Sequence, residues 1–399
     1  MTPGRHDGDE SARPAGPLAG VTVIELAGIG PIPHAAMLLA DMGADVICVE
    51  RAGPPISWVT PTKDVLRRNR RSIVVDLRTP EGVRVVEALV AQADVLLEGH
   101  RPGVTERLGV GPERCHELNP RLVYGRMTGW GQSGPLAARA GHDIGYVAVT
   151  GALTPGMEGT RPFPPANLLG DFGGGSTYLV IGVLAALLEA TRSGQGQVVD
   201  AAIVDGAASL TSILHGLMAS DLWTDRRGAN RLDGAAPWYD TYETSDGKYV
   251  AVGALEPKFY AELLQVLGLD EKLADRSDPS SWRAIRSALA EAFASKTRDH
   301  WAEVFMDSDA CVAPVLTLTE AREHPQLRDR GVFIEVGGVS QPAPAPRFSR
   351  TPSGAPRAPR ERGAHTREIL QSFGISGIDD LLRSGVVTET SEKVTRPET

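Results

Sequence analysis

Three acid or base side chains in this sequence have surroundings that could support proton transfer or attack on a carbonyl group. His142 lies in the sequence GHDIGY at residues 141–146, where a helix is predicted to begin. The positive end of a helix dipole there favours the neutral imidazole that a general base needs. Asp171 lies in the sequence GDFGGG, whose glycines would let a ligand approach the backbone closely. Glu243 is the last residue of the strand-like sequence YDTYE. Each residue alone also fits an ordinary structural role.

A cluster of arginines is the second chemical signal. Arg67, Arg68, Arg70 and Arg71 precede a predicted strand in a chain whose net charge is −9. Guanidinium groups match phosphate oxygens in a bidentate way. The cluster is therefore either a solvated face with scattered ion pairs or a site for a polyanionic small molecule, and the residues alone leave both interpretations open.

The first predicted turn is only superficially like a nucleotide-binding loop. It reads GIGPIP over residues 28–33, and its two prolines lack the N–H donors with which a G-x-G-x-x-G turn cradles pyrophosphate. NAD or FAD binding is therefore disfavoured, and the unit around the turn is interpreted as architectural.

The elements that must position these residues alternate between strand and helix. Apolar runs favour strands at 21–25, 45–50, 72–77, 94–97, 122–127 and 197–203, with helical patterns at 34–42, 81–93 and 175–190. This alternation predicts an α/β fold whose large domain is doubly wound and Rossmann-like, on a parallel sheet. From residue 240, a hairpin with an Asp-Gly turn and three helical patterns predict a smaller α+β domain.

The predicted organisation has six parts. They are a disordered tail at 1–16, a large domain at 17–227 to which 316–350 return, a small domain at 228–315, a Pro/Arg-rich linker at 339–363, C-terminal helices at 364–387 and a tail at 388–399.

Composition narrows the class of protein. The chain has 399 residues, 42% hydrophobic and 23% charged, which is a globular composition, and its acidic balance argues against nucleic-acid binding. The longest apolar run, 178–188, is shorter than the ~20 residues that span a bilayer, and residues 1–16 lack the apolar core of a secretory signal. Three widely spaced cysteines indicate neither a disulfide framework nor a zinc site, so we expect a cytoplasmic protein without a metal centre.

Taken together, these segments resemble the α-methylacyl-CoA racemases, a branch of the family III CoA-transferase superfamily. The resemblance covers about residues 17–350. It is carried, in order, by LAGV leading to ELA (18–27), GADV leading to ER (43–51), RNRR (68–71), EGHRPG (98–103), RMTGWGQ (126–132), GHD (141–143), GDFGGG (170–175) and YDTYE (239–243). Residues 363–387 also look like the superfamily's tail.

The resemblance implies an interlocked homodimer whose active site lies between the large domain of one subunit and the small domain of the other. It implies no prosthetic group, because coenzyme A is part of the acyl-CoA substrate. The implied CoA-binding residues are Ile29, Arg51, Val75, Asp76, Leu77, Arg78, Gly99, His100, Arg101, Arg107, Gly141, Asp143, Ile144, Gly145, Tyr146 and Asn167. Arg51, Arg101 and Arg107 would hold phosphates or the adenine face, 75–78 would line the adenine, and 141–146 would line the pantetheine and thioester.

The implied reaction interconverts (2R)- and (2S)-2-methylacyl-CoA thioesters by 1,1-proton transfer. A thioester α-proton is weakly acidic, so its removal needs a base and a donor that stabilises the enolate oxygen. Racemisation needs one acid or base on each face of the enolate, and His142 and Asp171 are the implied pair. The Asp143 N–H would stabilise the enolate oxygen, Asn167 would hold Asp171 or the thioester, and Glu243 would orient His142 across the dimer.

Two other functions stay open. CoA-transferases of the superfamily use an aspartate of the Gly-Asp motif as a nucleophile that forms a mixed anhydride, and Asp171 matches that aspartate too. His142 and Glu243 favour the racemase, because a transferase needs no second base. A catalytically silent acyl-CoA-binding protein is disfavoured by the full set of candidate acids and bases.

Overall fold

The computed structural model describes residues 15–54, 57–156 and 159–390. Their contacts divide them into two compact units. The first lies within Met1–Thr150, Pro165–Leu210 and Gly331–Thr399, and the second within Gly151–Pro164 and Thr211–Arg330. The predicted tails at 1–16 and 388–399 lie mostly outside the described residues.

The first unit is built on a seven-stranded sheet. The strands of the described chain are β1 (Thr22–Leu26), β2 (Asp45–Arg51), β3 (Arg71–Val75), β4 (Val95–Glu98), β5 (Val123–Thr128), β6 (Val198–Ala202), β7 (Tyr239–Glu243), β8 (Tyr249–Gly253), β9 (Val312–Pro314), β10 (Phe333–Val336), β11 (Val339–Pro342) and β12 (Val387–Thr388). The sheet order is β12-β3-β2-β1-β4-β5-β6. All neighbours are parallel except β12, which is antiparallel to β3. The large parallel sheet of a mixed α/β fold, predicted from the alternating pattern, is confirmed.

Helices connect the strands. They are α1 (Pro31–Asp41), α2 (Pro80–Val90), α3 (Val104–Arg107), α4 (Pro112–Leu118), α5 (Asp143–Val149), α6 (Thr177–Ser193), α7 (Ile203–Leu210), α8 (Ser212–Ala219), α9 (Pro257–Leu267), α10 (Trp282–Ala294), α11 (Arg298–Val304), α12 (Pro325–Asp329), α13 (Thr366–Ser372) and α14 (Ile378–Arg383), with a π-helix at Leu168–Ser176 directly before α6. Pro31 and Pro80 begin α1 and α2, where a missing N–H removes no helical hydrogen bond. Thr79 Oγ1 caps α2 by accepting from Gly82 N at 3.0 Å.

Apolar side chains bury both faces of the sheet. On one face Val23 and Val46 pack in a core with α1 and α6, and on the other Ile24 and Ile47 pack in a core with α2 and α13. Strands that are buried on both faces carry near-continuous apolar runs, which is why they could be recognised in the sequence.

One helical stretch of the described chain, residues 168–193, is long and apolar enough to cross a membrane by length and composition alone. Leu179 and Val183 of α6 are fully buried in the core of the first unit. An internal helix of a globular domain passes the same test, so the stretch is weak evidence for a membrane span.

The arginine cluster is tied down inside the first unit. Each arginine pairs with an acid of α1, β1 or β2: Arg67 with Glu50, Arg68 with Asp41, Arg70 with Glu25 and Arg71 with Asp45. Arg68 and Arg70 are buried together with their partners. The cluster is therefore not a solvated face, and carboxylates occupy its guanidinium forks instead of a polyanionic ligand.

The second unit packs the antiparallel sheet β7-β8-β9 around a core shared with α9, α10 and α11. Its buried aromatic side chains include Trp238, Tyr260, Phe293 and Trp301. The β7–β8 hairpin turns at Gly247, whose φ of 69° suits glycine.

The unit boundaries differ from the predicted domain boundaries. Residues 151–164 and 211–227 belong to the second unit instead of a large domain ending at 227, and the chain returns to the first unit at Gly331 instead of 316. Only Thr211 separates α7 from α8, so no linker sequence marks a boundary at 210. The predicted linker at 339–363 begins as β11, which pairs with β10, and β12 extends into the predicted tail.

Candidate active site

The carboxyl ends of the parallel strands meet at one edge of the sheet. This edge gathers the loops with Ile29 after β1, Arg51 at the end of β2, Asp76, Leu77 and Arg78 after β3, and Gly99, His100 and Arg101 after β4. The chain runs from β1 outward to β2 and β3, then crosses to β4 on the other side of β1. Ligands of open α/β sheets bind in the crevice at such a switch point.

Four arginines near this edge are exposed: Arg51, Arg78, Arg101 and Arg107. Arg78 Nη2 lies 2.7 Å from Asp76 Oδ2, and its hydrogen bonds lower the pKa of Asp76 to about 2. The Val75 side chain is buried in the core, so side-chain contacts to a ligand from this strand end would start at Asp76. Exposed guanidinium groups can take phosphate oxygens without first breaking a buried pair.

His100 has a packing role in the loop after β4. Its backbone N–H donates to Glu98 Oε2 at 2.6 Å, and burial lowers the pKa of its imidazole. Glu98 is itself buried against Arg126, with Nε–Oε1 at 2.8 Å. The loop that carries Arg101 is thereby anchored to β4 and β5.

His142 directly precedes α5 and is exposed. Its carbonyl accepts from Gly145 N at 2.8 Å. The Tyr146 ring packs directly against the backbone of this turn, because a Cβ at Gly141 would lie 2.5 Å from Tyr146 Cε1. Trp130 packs edge-on against the same ring, with 4.7 Å between the ring centroids. Packing fixes the backbone of the turn while the imidazole stays accessible.

Asp171 lies within the π-helix and is only 8% exposed. Burial raises the pKa of its carboxyl and the Asp143 charge adds to this, while a hydrogen bond from Asn167 and the nearby His142 oppose it. Asn167 Nδ2 donates to Asp171 Oδ2 at 2.7 Å. A carboxyl with raised proton affinity, shielded from water, has the properties of a general acid or base.

Asp143 connects the GHD motif (141–143) to the GDFGGG motif (170–175). Its Oδ1 accepts from the Asp171 backbone N–H at 2.6 Å, and it directly follows His142 in the chain. Burial is the main reason why the pKa of Tyr146 is raised. The charge of Asp171 raises this pKa further, and the charge of Arg101 lowers it. The structure therefore brings the acid–base motifs, Asn167 and the Arg101 loop into one region, with Ile144 48% exposed on the same turn.

Sequence reasoning missed three residues of this region. Gly30 has a φ of 65°, and a Cβ there would lie 3.0 Å from Asp171 Oδ2. His34 Nδ1 lies 2.6 Å from Ser176 Oγ, whose hydroxyl donates to Phe172 O at 3.0 Å, so Nδ1–H is the donor. These contacts hold the start of α1 against the π-helix on both sides of Asp171. The local sequence GIGPIPH carries no pattern that predicts a contact with the π-helix.

Glu243 is the last residue of β7 in the second unit, and it is exposed opposite Tyr249 of β8. Its predicted action on His142 stays a prediction. Within the described ranges, no group of three His, Cys, Asp or Glu side chains is placed to hold a metal ion.

The fold and site define a class: a parallel α/β protein with exposed arginines at the carboxyl edge of its sheet, beside a buried carboxyl and an accessible imidazole. Such a site suits acid–base or nucleophilic chemistry on a ligand with an anionic part. Residues 18–366 match the sequence model of CoA-transferase family III, and the chain belongs to this family.

Similar proteins carry two kinds of name. The chain is 46% identical to the α-methylacyl-CoA racemase of Mus musculus and 45% identical to that of Homo sapiens, in each case over 90% of this chain and 94% of the relative. It is 29% identical to the succinyl-CoA:glutarate CoA-transferase of Homo sapiens, over 94% of this chain and 90% of that one. A solved CAIB/BAIF family protein from Brucella suis has a TM-score of 0.76 at 29% identity, covering 90% of this chain and 100% of that chain.

Proposed function

We infer that this chain is an α-methylacyl-CoA racemase, which interconverts (2R)- and (2S)-2-methylacyl-CoA by 1,1-proton transfer. The observation that carries this inference is the 45–46% identity to two proteins of that name, over nine-tenths of the chain. The acid–base pair in one region of the first unit gives the activity a chemical basis.

Proton transfer at the α-carbon is assigned to His142 and Asp171. One removes the α-proton, the other returns a proton to the opposite face of the planar enolate, and the roles swap with the handedness of the substrate. The exposed imidazole can reach a bound thioester without a rearrangement of the core. The raised pKa of Asp171 makes its carboxylate a stronger base than an exposed aspartate.

The supporting contacts assign a role to each carboxyl oxygen. Asn167 occupies Oδ2 of Asp171, so Oδ1 is the oxygen that we assign to proton transfer. The developing enolate oxygen would accept from the Asp143 N–H, which as the first N–H of α5 has no intrahelical acceptor.

Coenzyme A would lie along the carboxyl edge of the sheet. Arg51, Arg101 and Arg107 would bind phosphates or the adenine face, the loop 76–78 would line the adenine, and 141–146 would line the pantetheine and thioester. The support is position and exposure, because these side chains are accessible at the switch point.

A homodimer completes the proposal, with Rossmann-like large domains whose sites each receive Glu243 from the partner's small domain. Ile181 and Leu188 on α6 are each 56% exposed, and Val198 on the edge strand β6 is 41% exposed. Apolar side chains of this kind on neighbouring elements support a covering partner. Glu243 would then polarise and orient His142 without touching substrate.

The second candidate is a CoA-transferase in which Asp171 is the nucleophile, favoured by relatives of that name at 29–35% identity. A proton NMR experiment separates the two. A pure (2S)-2-methylacyl-CoA is incubated with the enzyme in D₂O without any acceptor acid. Loss of the α-proton signal with both epimers appearing supports the racemase. No exchange, followed by CoA transfer to an added free acid, supports the transferase.

A further inference from the structure

A small cavity opens between β2, β3 and the C-terminal segment of the first unit, away from the acid–base motifs in the chain. Its volume is about 10 Å³, and its lining consists of Cys48, Arg67, Arg70, Arg71, Ser72 and Arg360. Four of these six residues carry guanidinium groups and none carries a carboxylate. A cavity of this size holds one water-sized particle.

Two buried donors in this lining have no partner among the described residues. Arg67 directs both Nη atoms to Glu50 at 2.9 Å, and Arg70 directs Nη1 to Glu25. The Nε–H groups of both arginines are buried and unpaired. Arg70 is 8% exposed as a residue. Buried donors, above all charged ones, are nearly always satisfied in native proteins, so a missing acceptor is indicated.

The lining offers donors but hardly any acceptor. Ser72 Oγ already donates to Glu50 and accepts from Gly363 N at 2.8 Å. Burial raises the pKa of the Cys48 thiol well above its ordinary value, so it stays neutral and is only a weak acceptor. A water molecule here would find good partners for its oxygen but only the thiol for its hydrogens. An anion would accept from both unpaired Nε–H groups and needs no acceptor of its own.

We propose that this cavity binds one small monovalent anion, a halide such as chloride, between Arg67 Nε and Arg70 Nε. In so small a cavity a single-atom anion needs less room than a tetrahedral sulfate or phosphate. The acids nearby are already engaged, since Glu50 also accepts from Arg362 Nε at 3.0 Å and Asp45 from Arg71 Nε at 3.0 Å.

The anion would join the C-terminal segment to the sheet. Arg360 lies on that segment and lines the cavity. Arg362 of the same segment donates to the carbonyl oxygen of Arg51 at 2.6 Å. Halide binding therefore stabilises the contact between the C-terminal segment and the start of β3, and it does not depend on the reaction that the enzyme catalyses.

The direct test is crystallographic. Crystals of the full chain are soaked in sodium bromide, and anomalous diffraction is recorded at the bromine absorption edge. We expect an anomalous peak in the cavity, within hydrogen-bonding distance of both Nε atoms. A cavity that holds water or nothing, while bromide occupies surface sites of the same crystal, would overturn the proposal.

A solution test uses variants that leave the buried ion pairs in place. Replacing sodium gluconate by sodium chloride at constant ionic strength should raise the melting temperature of the wild type saturably by several degrees. Arg360→Gln removes a lining charge and should weaken this response at least severalfold. Arg350→Gln removes an exposed charge elsewhere and should leave it intact. Equal responses to both salts, or equal responses of both variants, would contradict a specific site.

Discussion

At the scale of residues, the proposed chemistry depends on two groups with opposite environments. His142 is exposed at the start of α5, while Asp171 is buried and its pKa is raised chiefly by that burial. Asn167 works against the burial by donating to Asp171 Oδ2. The balance between desolvation and one hydrogen bond therefore sets the pH at which Asp171 becomes a base.

Asn167→Ala should shift the pH profile of one substrate epimer. Loss of the hydrogen bond removes a stabilisation of the carboxylate, so the pKa of Asp171 rises further. For the epimer that Asp171 deprotonates, the exchange rate should fall at acidic pH, because the acidic limb of its pH profile moves to higher pH. The limb of the other epimer, which depends on His142, is the internal control. An unchanged profile for both epimers would show that Asn167 does not tune Asp171.

Arg101→Ala should raise KM for the CoA ester with little change in kcat. The exposed guanidinium lies at the carboxyl edge of the sheet, and a charge-assisted contact is worth about 1.5–3 kcal/mol, or roughly 10- to 150-fold in binding. Steady-state kinetics would measure this. Arg121→Ala, which removes an exposed charge before β5 and hence at the opposite edge, should leave KM unchanged. Equal effects of both would indicate only a general electrostatic role.

At the scale of elements, the site depends on how α1 meets the π-helix. Gly30 at the start of α1 approaches Asp171 closely, and the His34–Ser176 contact fastens the same two elements farther along. The turn that lacks a phosphate-binding fingerprint therefore has a function after all, which is to leave room for a buried carboxyl.

Gly30→Ala should lower kcat strongly while it lowers the free energy of unfolding only modestly. A residue with a Cβ at φ 65° costs roughly 1–2 kcal/mol, and this Cβ would also lie 3.0 Å from Asp171 Oδ2. Displacement of the carboxyl should reduce kcat about tenfold or more, because misplacement by an ångström can cost ~100-fold. Gly20→Ala is the matched control, with φ 93° and no atom near its Cβ. Similar kcat losses in both variants would contradict the packing argument.

Much of this element level could be predicted from sequence. The parallel strands are buried on both faces, so their apolar runs were visible, and Gly43 marked the end of the first helix. The motifs around His142 and Asp171 were also visible as unusual local sequences. The π-helix at Leu168–Ser176 was not, because its glycines disfavour a helix and the predicted helix began only at 175. The partners of the arginine cluster were not visible either, since Arg68 reaches Asp41 and also Gln341, 273 positions away.

At the scale of the whole molecule, the proposal needs two copies of the chain. Glu243 belongs to the second unit and His142 to the first, and the proposed dimer pairs them between subunits. The boundary between Leu210 and Thr211 falls between two adjoining helices, where no linker composition could reveal it. The tertiary contacts alone distinguish α7 in the first unit from α8 in the second.

Mixed dimers should test the shared site. A heterodimer of a His142→Ala chain and a Glu243→Ala chain would hold one doubly altered site and one intact site. Random assembly should therefore restore about a quarter of wild-type activity, since half the dimers are mixed and each has one intact site of two. Co-expressed chains are compared with separately purified homodimers mixed at low temperature. No gain over that mixture would place both residues in the same subunit.

The most direct test of the two-base mechanism is the initial rate of deuterium uptake from each pure 2-methylacyl-CoA epimer in D₂O, for the wild type, His142→Ala and Asp171→Ala. The wild type should exchange both epimers. Each variant should lose exchange from a different epimer by about 10²–10⁴-fold, the usual contribution of a general base, and neither should racemise at an appreciable rate. Two bases on opposite faces of the enolate would be contradicted if Asp171→Ala exchanged both epimers at the wild-type rate. They would also be contradicted if both variants lost exchange from the same epimer.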